Sequence, residues 1–482
     1  MEREGWKGSR VWLLAVALVL LAGPVVAAEK SAEEAEGAGR LLRKEQSPPS
    51  GPQPGVPATG QEVAPQKAEG AGQLIREEEH GQHLCAGCLS TLYEEGSKGS
   101  LEPYGRVELD GIYSSRNNNP LDPGQFNGYA TAAGKNANAS STLNPRYSVF
   151  GVKAERTDGK HSLTGVVEID FYGQTDNAGN LPPRLRLANV RYTYDKTSVT
   201  AGMDWTPIMS LHPDLIDFSI MGYGGNLWQR LPQVTVRHQF SENVEGLLTV
   251  LRFERGLSAI QTNQQSRPSP GGPSCTAGSF ASSNCVFSDP VQHPYYGGRL
   301  AYTGTGNMQG FMIAGSVAYR YYRSAPMPSN AAFQSGRDIN SYLIGGELVV
   351  PITKTLKFSG EIAYGQALGV EFFRYNQELN LTTGKPIRAM MGWGQLSYAP
   401  AKGYTFLAGY GFDNPNKDDL QGSTTSVDVQ YLSNQRMYAT MVKQIWADFY
   451  LGAEFQNLWT QWAGTFERFS GQQYNLSVWY NF

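Results

Sequence analysis

The nine residues Tyr474-Asn-Leu-Ser-Val-Trp-Tyr-Asn-Phe482, at the end of this 482-residue chain, decide the fold class. From Tyr474 to Phe482 every second side chain is apolar or aromatic, and the positions between them are polar except for Trp479. A period of two is that of a β-strand with one apolar and one polar face. The segment therefore predicts a strand that ends on an aromatic residue. The same alternation recurs in residues 107–113, 163–171 and 356–364.

Alternation alone leaves two architectures open. In a soluble sandwich the apolar face forms the core, whereas in a membrane barrel it contacts lipid and the polar face lines the lumen. A chain with 55 glycines, 11% aromatic residues and 17% charged residues, against the usual share of about a quarter, fits a β-rich protein. A mean hydropathy of −0.38 excludes a bundle of membrane helices. Four cysteines exclude a scaffold held by disulfides, and a net charge of −3 gives no indication of nucleic-acid binding.

The spacing of the connections decides between the two architectures. Short turns alternate strictly with long polar connections after residue 101. The turns are at residues 158–160, 195–198, 241–243, 303–307, 351–354, 399–403 and 446–448. The long connections are residues 116–145, 173–183, 206–232, 256–294, 323–340, 367–386, 413–435 and 461–471. Short turns at one end and long loops at the other are the pattern of an outer-membrane barrel. The sequence thus predicts an all-β fold, a transmembrane antiparallel β-barrel of about 16 strands around an aqueous channel.

Three regions are expected along the chain. Residues 1–28 have a basic start and an apolar run of 16 residues, which is typical of a secretory signal peptide. Residues 29–100 are an acidic Pro/Gly-rich arm of net charge −5, expected to be largely disordered in the periplasm. Residues 101–482, of net charge +1, form the outer-membrane barrel. A short motif occurs twice in the arm, either as a duplicated spacer or as a docking motif for a periplasmic partner.

The cysteines form two close pairs. In His80-Gly-Gln-His83-Leu-Cys85-Ala-Gly-Cys88 the four side chains suggest zinc, a local disulfide, or a redox or partner contact. We predict a disulfide between Cys85 and Cys88 and no metal site. Cys275 and Cys285 lie in a long Ser/Pro/Gly-rich connection and are predicted to form a second disulfide, which would contribute about 2–3 kcal/mol on the chain-entropy model.

One stretch of the barrel region resembles a known family. Its segments are Arg184-Leu-Arg-Leu-Ala-Asn-Val-Arg-Tyr192, Val199-Thr-Ala-Gly-Met-Asp-Trp-Thr206, Leu215-Ile-Asp217, Gly222-Tyr-Gly-Gly225 and Arg230-Leu-Pro-Gln-Val-Thr-Val-Arg237. They resemble the DcaP-type bacterial outer-membrane porins. The resemblance implies a homotrimer that contacts outer-membrane lipid and passes small, often anionic, solutes. The competing hypothesis is a barrel sleeve for a periplasmic cytochrome in an electron conduit, suggested by the cysteine pair ahead of the barrel.

The third long connection, residues 206–232, is a candidate constriction loop. Its run of residues 211–222 is too apolar for a loop in solvent. Folded into the barrel, it would pack its apolar residues on the wall and turn His212, Asp214 and Asp217 to the water path, with Arg230 near its end. The resemblance supports this, since porins constrict with this loop. The alternative is a loop that caps the mouth.

Arginines in the strands suggest how the channel selects. Alternation places Arg106, Glu108, Asp110, Arg191, Arg237 and Arg299 on the lumenal face. Arg184, Arg186 and Arg252 share parity with apolar neighbours and are expected at a rim. Arginines opposite an acidic loop would give a transverse field and a mild anion preference. In the alternative, these arginines pair with glutamates and only fill space.

The sequence offers little support for catalysis. Four histidines remain after the arm, and no nucleophile motif or phosphate-binding loop accompanies them. We therefore expect no enzyme activity and no cofactor. The prediction is an outer-membrane porin for passive diffusion of small hydrophilic solutes.

Overall fold

A computed structural model describes residues 98–115, 138–173, 181–251, 293–323, 337–374, 377–380, 382–422, 430–463 and 468–482. The strands are β1 (Lys98–Ser114), β2 (Ser140–Asn144), β3 (Val149–Asp158), β4 (His161–Asp170), β5 (Arg184–Tyr194), β6 (Thr197–Trp205), β7 (Arg230–Gln239), β8 (Val244–Leu251), β9 (Tyr295–Thr303), β10 (Met312–Arg323), β11 (Asp338–Pro351), β12 (Leu356–Gln366), β13 (Arg388–Tyr398), β14 (Tyr404–Pro415), β15 (Tyr431–Trp446), β16 (Phe449–Trp462) and β17 (Arg468–Asn481). Single turns of 3₁₀-helix lie at Gly306–Met308, Val370–Phe372 and Lys417–Asp419. None of the helical turns in these ranges is long and apolar enough to span a bilayer.

The strands form one closed antiparallel sheet. From β3 onward each strand pairs with the next along the chain, and β1 pairs with β17 to close the barrel. β2 pairs with residues 110–114 of β1, and β3 pairs with residues 98–106 of the same strand. β2 and β3 therefore count as one interrupted strand. The barrel therefore has 16 strands, as predicted. Residues 140–144 were expected in a long connection, but they belong to the sheet because their alternating pattern matches that of β1.

The two faces of the sheet have opposite polarity. Apolar side chains such as Val107, Leu248, Leu300 and Leu476 are exposed on the outer face. Charged and amide side chains such as Glu347 are buried inside. This is the inversion expected of a membrane-spanning barrel, in which lipid covers the outer surface.

The connections sort by length between the two ends of the barrel. Every predicted short turn separates the two strands of a hairpin, as at Gly159 between β3 and β4 and at Ala447 between β15 and β16. The long connections join the strands at the opposite end. The predicted alternation of turns and loops is confirmed.

Two of the long connections turn into the barrel. Residues 206–229, between β6 and β7, are named the inward loop. Residues 367–387, between β12 and β13, are named the second inward loop. Both are largely buried in the described residues, and Ile208, Leu227, Leu368 and Phe372 share one hydrophobic cluster with the inner wall. Part of the interior is thus a packed core, where a fully aqueous channel was expected.

The seam between β1 and β17 is staggered. Phe482 exchanges both backbone hydrogen bonds with Gly105, each of 3.0 Å. Residues 98–104 of β1 continue past this point and pair only with β3. One edge of this overhang therefore has no neighbouring strand among the described residues.

Candidate permeation path

Polar side chains of the wall hold the backbone of the inward loop. The amide of Leu211 donates to Glu361 Oε1 at 2.8 Å, and the amide of Ile216 donates to Glu454 Oε2 at 2.9 Å. The amide of Asp214 donates to Gln395 Oε1 at 2.9 Å. Backbone groups buried away from water need such partners. The loop is therefore fixed along β12, β13 and β16 inside the barrel, where it does not cap the mouth.

The two acids of the inward loop face the wall, which corrects the expectation that they face the water path. Asp217 pairs with Arg436 Nη1 at 3.2 Å, and both side chains are 1% exposed. Asp214 accepts a hydrogen bond from Gln395 Nε2 at 3.0 Å. A guanidinium buried on the inner face requires a carboxylate partner, and the loop supplies it. Both carboxylates are therefore bound by side chains of the wall. The surface of the loop that faces water carries neither of them.

A stack of aromatic rings joins the inward loop to β6. His212 stacks on Trp228 with ring centroids 4.3 Å apart, and Trp228 stacks on Trp205 of β6 at 3.8 Å. The Arg230 guanidinium lies 5.1 Å from the Trp205 ring. His212 is partly exposed, whereas Trp228 is buried. The predicted loop histidine thus lies at the end of an aromatic stack that leads to an arginine.

The close approach of two backbones explains why residues 222–225, Gly222-Tyr-Gly-Gly225, are rich in glycine. Gly225 has a φ of +106°, and a Cβ there would lie 2.2 Å from the carbonyl oxygen of Gly392 on β13. A Cβ on Gly411 of β14 would lie equally close, 2.2 Å from the carbonyl oxygen of Gly224. Only glycine permits this approach of two backbones. The inward loop can therefore lie flat against the wall.

A β-bulge in β5 places two more arginines inside, which corrects the expectation of a rim position. Ile169 pairs with Leu185 and Glu168 with Leu187, so Arg186 is an extra residue on β5. The bulge shifts the alternation, and Leu185 is 50% exposed on the outer face. Arg184 and Arg186 consequently face inward, as Arg191 does beyond the bulge. Only the broken alternation at Leu187, an apolar residue on the inner face, could have signalled this shift.

Three arginines meet two carboxylates at this bulge. Arg184 Nη2 lies 2.7 Å from Asp170 Oδ2, and Arg186 Nε lies 2.6 Å from Glu168 Oε1. Arg230, the first residue of β7, places its Nη1 3.6 Å from Asp170 Oδ2. The five side chains carry one positive charge in excess. This arginine cluster lies on the wall of β4, β5 and β7.

Arg191 and Arg237, which were predicted to line the pore, each lie close to a carboxylate of the wall. Arg237 Nη1 lies 2.5 Å from Glu245 Oε1, and Arg191 Nη2 lies 3.9 Å from Asp204 Oδ2. The arginine is the more exposed partner in each, 12% against 4% and 21% against 14%. The same order holds in the arginine cluster, where Arg184 is 28% exposed and Asp170 is 0%. Guanidinium groups therefore face the remaining water, and their carboxylates lie behind them.

The other predicted pore-lining residues face inward but are covered. The Arg299 side chain is 1% exposed, with Nε 2.7 Å from Glu347 Oε1. The hydroxyl of Ser210, on the inward loop, donates to the same Glu347. Arg299 is buried because this loop covers its part of the wall. It therefore cannot contact a solute, which corrects its predicted role.

Residues Arg106, Glu108 and Asp110 of β1 are also buried. Arg106 Nη2 lies 2.6 Å from Glu108 Oε2, and the guanidinium lies 4.7 Å from the Trp479 ring. Asp110 accepts a hydrogen bond from Ser477 of β17. These three side chains connect the two strands of the seam. For them the space-filling alternative fits better than contact with solute.

The four cysteines, Cys85, Cys88, Cys275 and Cys285, lie outside the described residues, as does Arg252. Both disulfides stay predictions. Within the ranges that the structure describes, no three histidine, aspartate or glutamate side chains converge as metal ligands.

Comparisons with known proteins bear on the fold. The chain is similar to the outer membrane channel DcaP of Acinetobacter baumannii, with a TM-score of 0.61 and 15% identity over 80% of this chain and 97% of that one. It is also similar to Salmonella typhi OmpF in complex with daunomycin, with a TM-score of 0.51 and 12% identity over 80% and 98%. No family model and no curated protein matches the sequence. At these identities the likeness shows a shared fold, and the predicted resemblance to DcaP-type porins is confirmed at that level.

Proposed function

We propose that the protein is a porin of the outer membrane that lets small hydrophilic solutes diffuse passively, with a mild preference for anions. One observation carries the preference. In the contacts of Arg184, Arg191, Arg230 and Arg237, the guanidinium is more exposed than the carboxylate that it faces. A passing solute therefore meets cations first.

The strength of the preference follows from the same pairs. A guanidinium stays charged and offers a rigid fork of donors to a carboxylate or phosphate. Its field is weakened by the carboxylate behind it, so an anion is attracted without being trapped. Conduction requires binding of this weak kind. The Arg230 guanidinium lies against the Trp205 ring, which stacks on Trp228 and through it on His212, so aromatic rings border this arginine.

The setting of the barrel belongs to the same proposal. An apolar outer face fits the lipid of the outer membrane, reached after removal of residues 1–28, with the arm of residues 29–100 in the periplasm. A homotrimer is the assembly implied by the family resemblance. A cytochrome sleeve would need an interior that admits a second protein. The two inward loops occupy that space, which disfavours the sleeve.

Reversal potentials across planar bilayers in a tenfold salt gradient test the proposal. We expect a conducting channel whose reversal potential has the sign of anion preference and decreases toward zero as salt rises. Purified folded protein without conductance would contradict the porin. Conductance with a cation preference would contradict the role of the arginines alone.

A further inference from the structure

We infer that the second inward loop and the inward loop pack into one plug, which closes the lumen along β8–β16 and confines solutes to the arginine-lined side. The inference rests on the proposed porin function and specifies the part of the lumen that conducts. Residues 367–386 were expected to be one of the long external connections. Their burial inside the barrel is what motivates the inference.

Ion pairs fasten the second inward loop to the wall. Arg374 Nε lies 2.8 Å from Asp413 Oδ2 of β14, and both side chains are 1% exposed. Arg320 of β10 places Nη1 2.6 Å from Glu371 and Nη2 3.2 Å from Glu378. Breaking such buried pairs leaves an uncompensated charge, which is strongly unfavourable. The second inward loop is therefore held by β10 on one side of its own strands, β12 and β13, and by β14 on the other.

Apolar contacts join the two loops to each other. A Cβ at Gly222 of the inward loop would lie 3.3 Å from Phe373 Cδ1 of the second inward loop. Phe372 packs edge-on against Tyr295 of β9 with ring centroids 5.1 Å apart. Phe372 and Leu368 are fully buried in one cluster with Met209 of the inward loop. The two loops thus form a continuous packed body between the walls.

Backbone strain is concentrated in the same two loops. Eight residues other than glycine have positive φ in the ranges that the structure describes. Four of them lie in the inward loop, and two, Ala367 at +51° and Phe373 at +54°, lie in the second inward loop. Such conformations persist only where the surroundings fix them. These strained conformations favour a rigid plug and argue against two loops that move freely.

Wall residues under the plug differ from those on the arginine side. Ser316 of β10 is 2% exposed, and its hydroxyl accepts a hydrogen bond from the Met209 amide at 3.3 Å. Thr193 of β5 is partly exposed on the inner face, between the outward-facing Tyr192 and Tyr194. The plug therefore predicts opposite solvent access for two similar hydroxyl residues.

Cysteine labelling tests this difference in the full chain, with the four native cysteines changed to serine. Ser316→Cys and Thr193→Cys are treated with a negatively charged methanethiosulfonate reagent, and modification is followed by mass spectrometry and by single-channel current. We expect Thr193→Cys to react at least about 100-fold faster, because a buried thiol reacts only through local opening. Adding Phe373→Ala or Arg374→Ala should speed modification of Ser316→Cys at least about tenfold by loosening the plug.

The outcomes separate the plug from the porin. Equal rates at the two cysteines, or an unreactive Thr193→Cys, would overturn the confined path whether or not the chain conducts. Slow Ser316→Cys and fast Thr193→Cys in a chain without conductance would support the packing of the loops and contradict the porin. Heat-dependent mobility of the barrel in detergent gels confirms that each variant is folded before labelling.

Discussion

Replacing Arg191 and Arg237 with alanine tests whether the exposed arginines select solutes. Each of them leaves a carboxylate that keeps another partner. Glu245 retains Arg299 at 3.9 Å, and Asp204 accepts a 2.8 Å hydrogen bond from the Trp205 amide. The double variant is therefore expected to fold. It changes the group of two arginines and two carboxylates from neutral to a charge of −2.

The size of the effect follows from Coulomb's law. A solute ion about 6 Å from one charge in water interacts with it by about 0.7 kcal/mol. With a Debye length of about 10 Å at 0.1 M salt, screening leaves about half of this. Two lost charges then shift the ion's free energy by about 0.8 kcal/mol, which is about a fourfold change in local concentration. Anions become rarer by this factor, cations become more frequent, and the lost side-chain volume raises conductance.

The assay is the reversal potential at low salt, with a control that removes two arginines elsewhere. Arg337 and Arg468 are exposed at the long-loop ends of β11 and β17, so their double alanine variant loses the same charge away from the path. We expect the Arg191/Arg237 variant to shift toward cation preference and the control to stay near wild type. At 1 M salt the shift should nearly vanish, since the Debye length is then about 3 Å. A variant that keeps the wild-type potential at low salt would refute the selecting role.

Three further changes probe the loops. Asp217→Ala leaves Arg436 buried without its carboxylate, so we expect the barrel to lose about 3–5 kcal/mol of stability, measured by denaturant unfolding, while Asp217→Asn should lose less. Gly225→Ala places a methyl group 2.2 Å from a wall carbonyl, whereas Gly159→Ala also has positive φ but nothing within 4 Å. Only the former should change conductance, and equal conductance changes in both would contradict the close approach. Burial opposes ionisation of Asp419, but hydrogen bonds from neighbouring basic side chains lower its pKa to about 2. Because this pKa is depressed, ionised Asp419 stabilises the folded loop fully above about pH 3.9, the usual pKa of an aspartate. The stabilisation is lost as the pH falls toward 2. The protection factors of residues 416–421, which are hydrogen-exchange rates corrected for the intrinsic rate at each pH, should fall over that window in wild type and stay level in Asp419→Asn.

The barrel itself could be predicted from the sequence because its signals are local. Alternation over five to ten residues fixes which face of a strand contacts lipid, as in residues 474–482. Turn residues mark where strands end, and the seven short turns were all found at the expected positions. The apolar run of residues 211–222 likewise indicated a loop that leaves solvent. Each of these inferences depends only on neighbours along the chain.

The candidate site could be predicted only in part, because its details depend on distant partners. The inward position of Arg184 depends on a one-residue bulge that no turn residue announces. The burial of Asp217 depends on Arg436, more than two hundred residues later in the chain. The second inward loop contains Glu371, Glu378 and Arg374, so its sequence resembles a polar surface loop. Its burial becomes evident only when Arg320 and Asp413 are placed opposite these charges.

The overhang of β1 has a consequence for the number of strands. Gly105 uses its outer edge for Phe482, and by the period of two the next backbone group on that edge belongs to Pro103. Proline carries no amide hydrogen, so the ladder of hydrogen bonds loses its next donor. Proline on an edge strand is a recognised means of preventing sheets from adding further strands. A strand from a second barrel would therefore find no donor at the first position beside the seam, and the next amide on that edge belongs to Leu101. The missing hydrogen at position 103 thus disfavours the first step of strand exchange or of growth into a larger sheet at the seam.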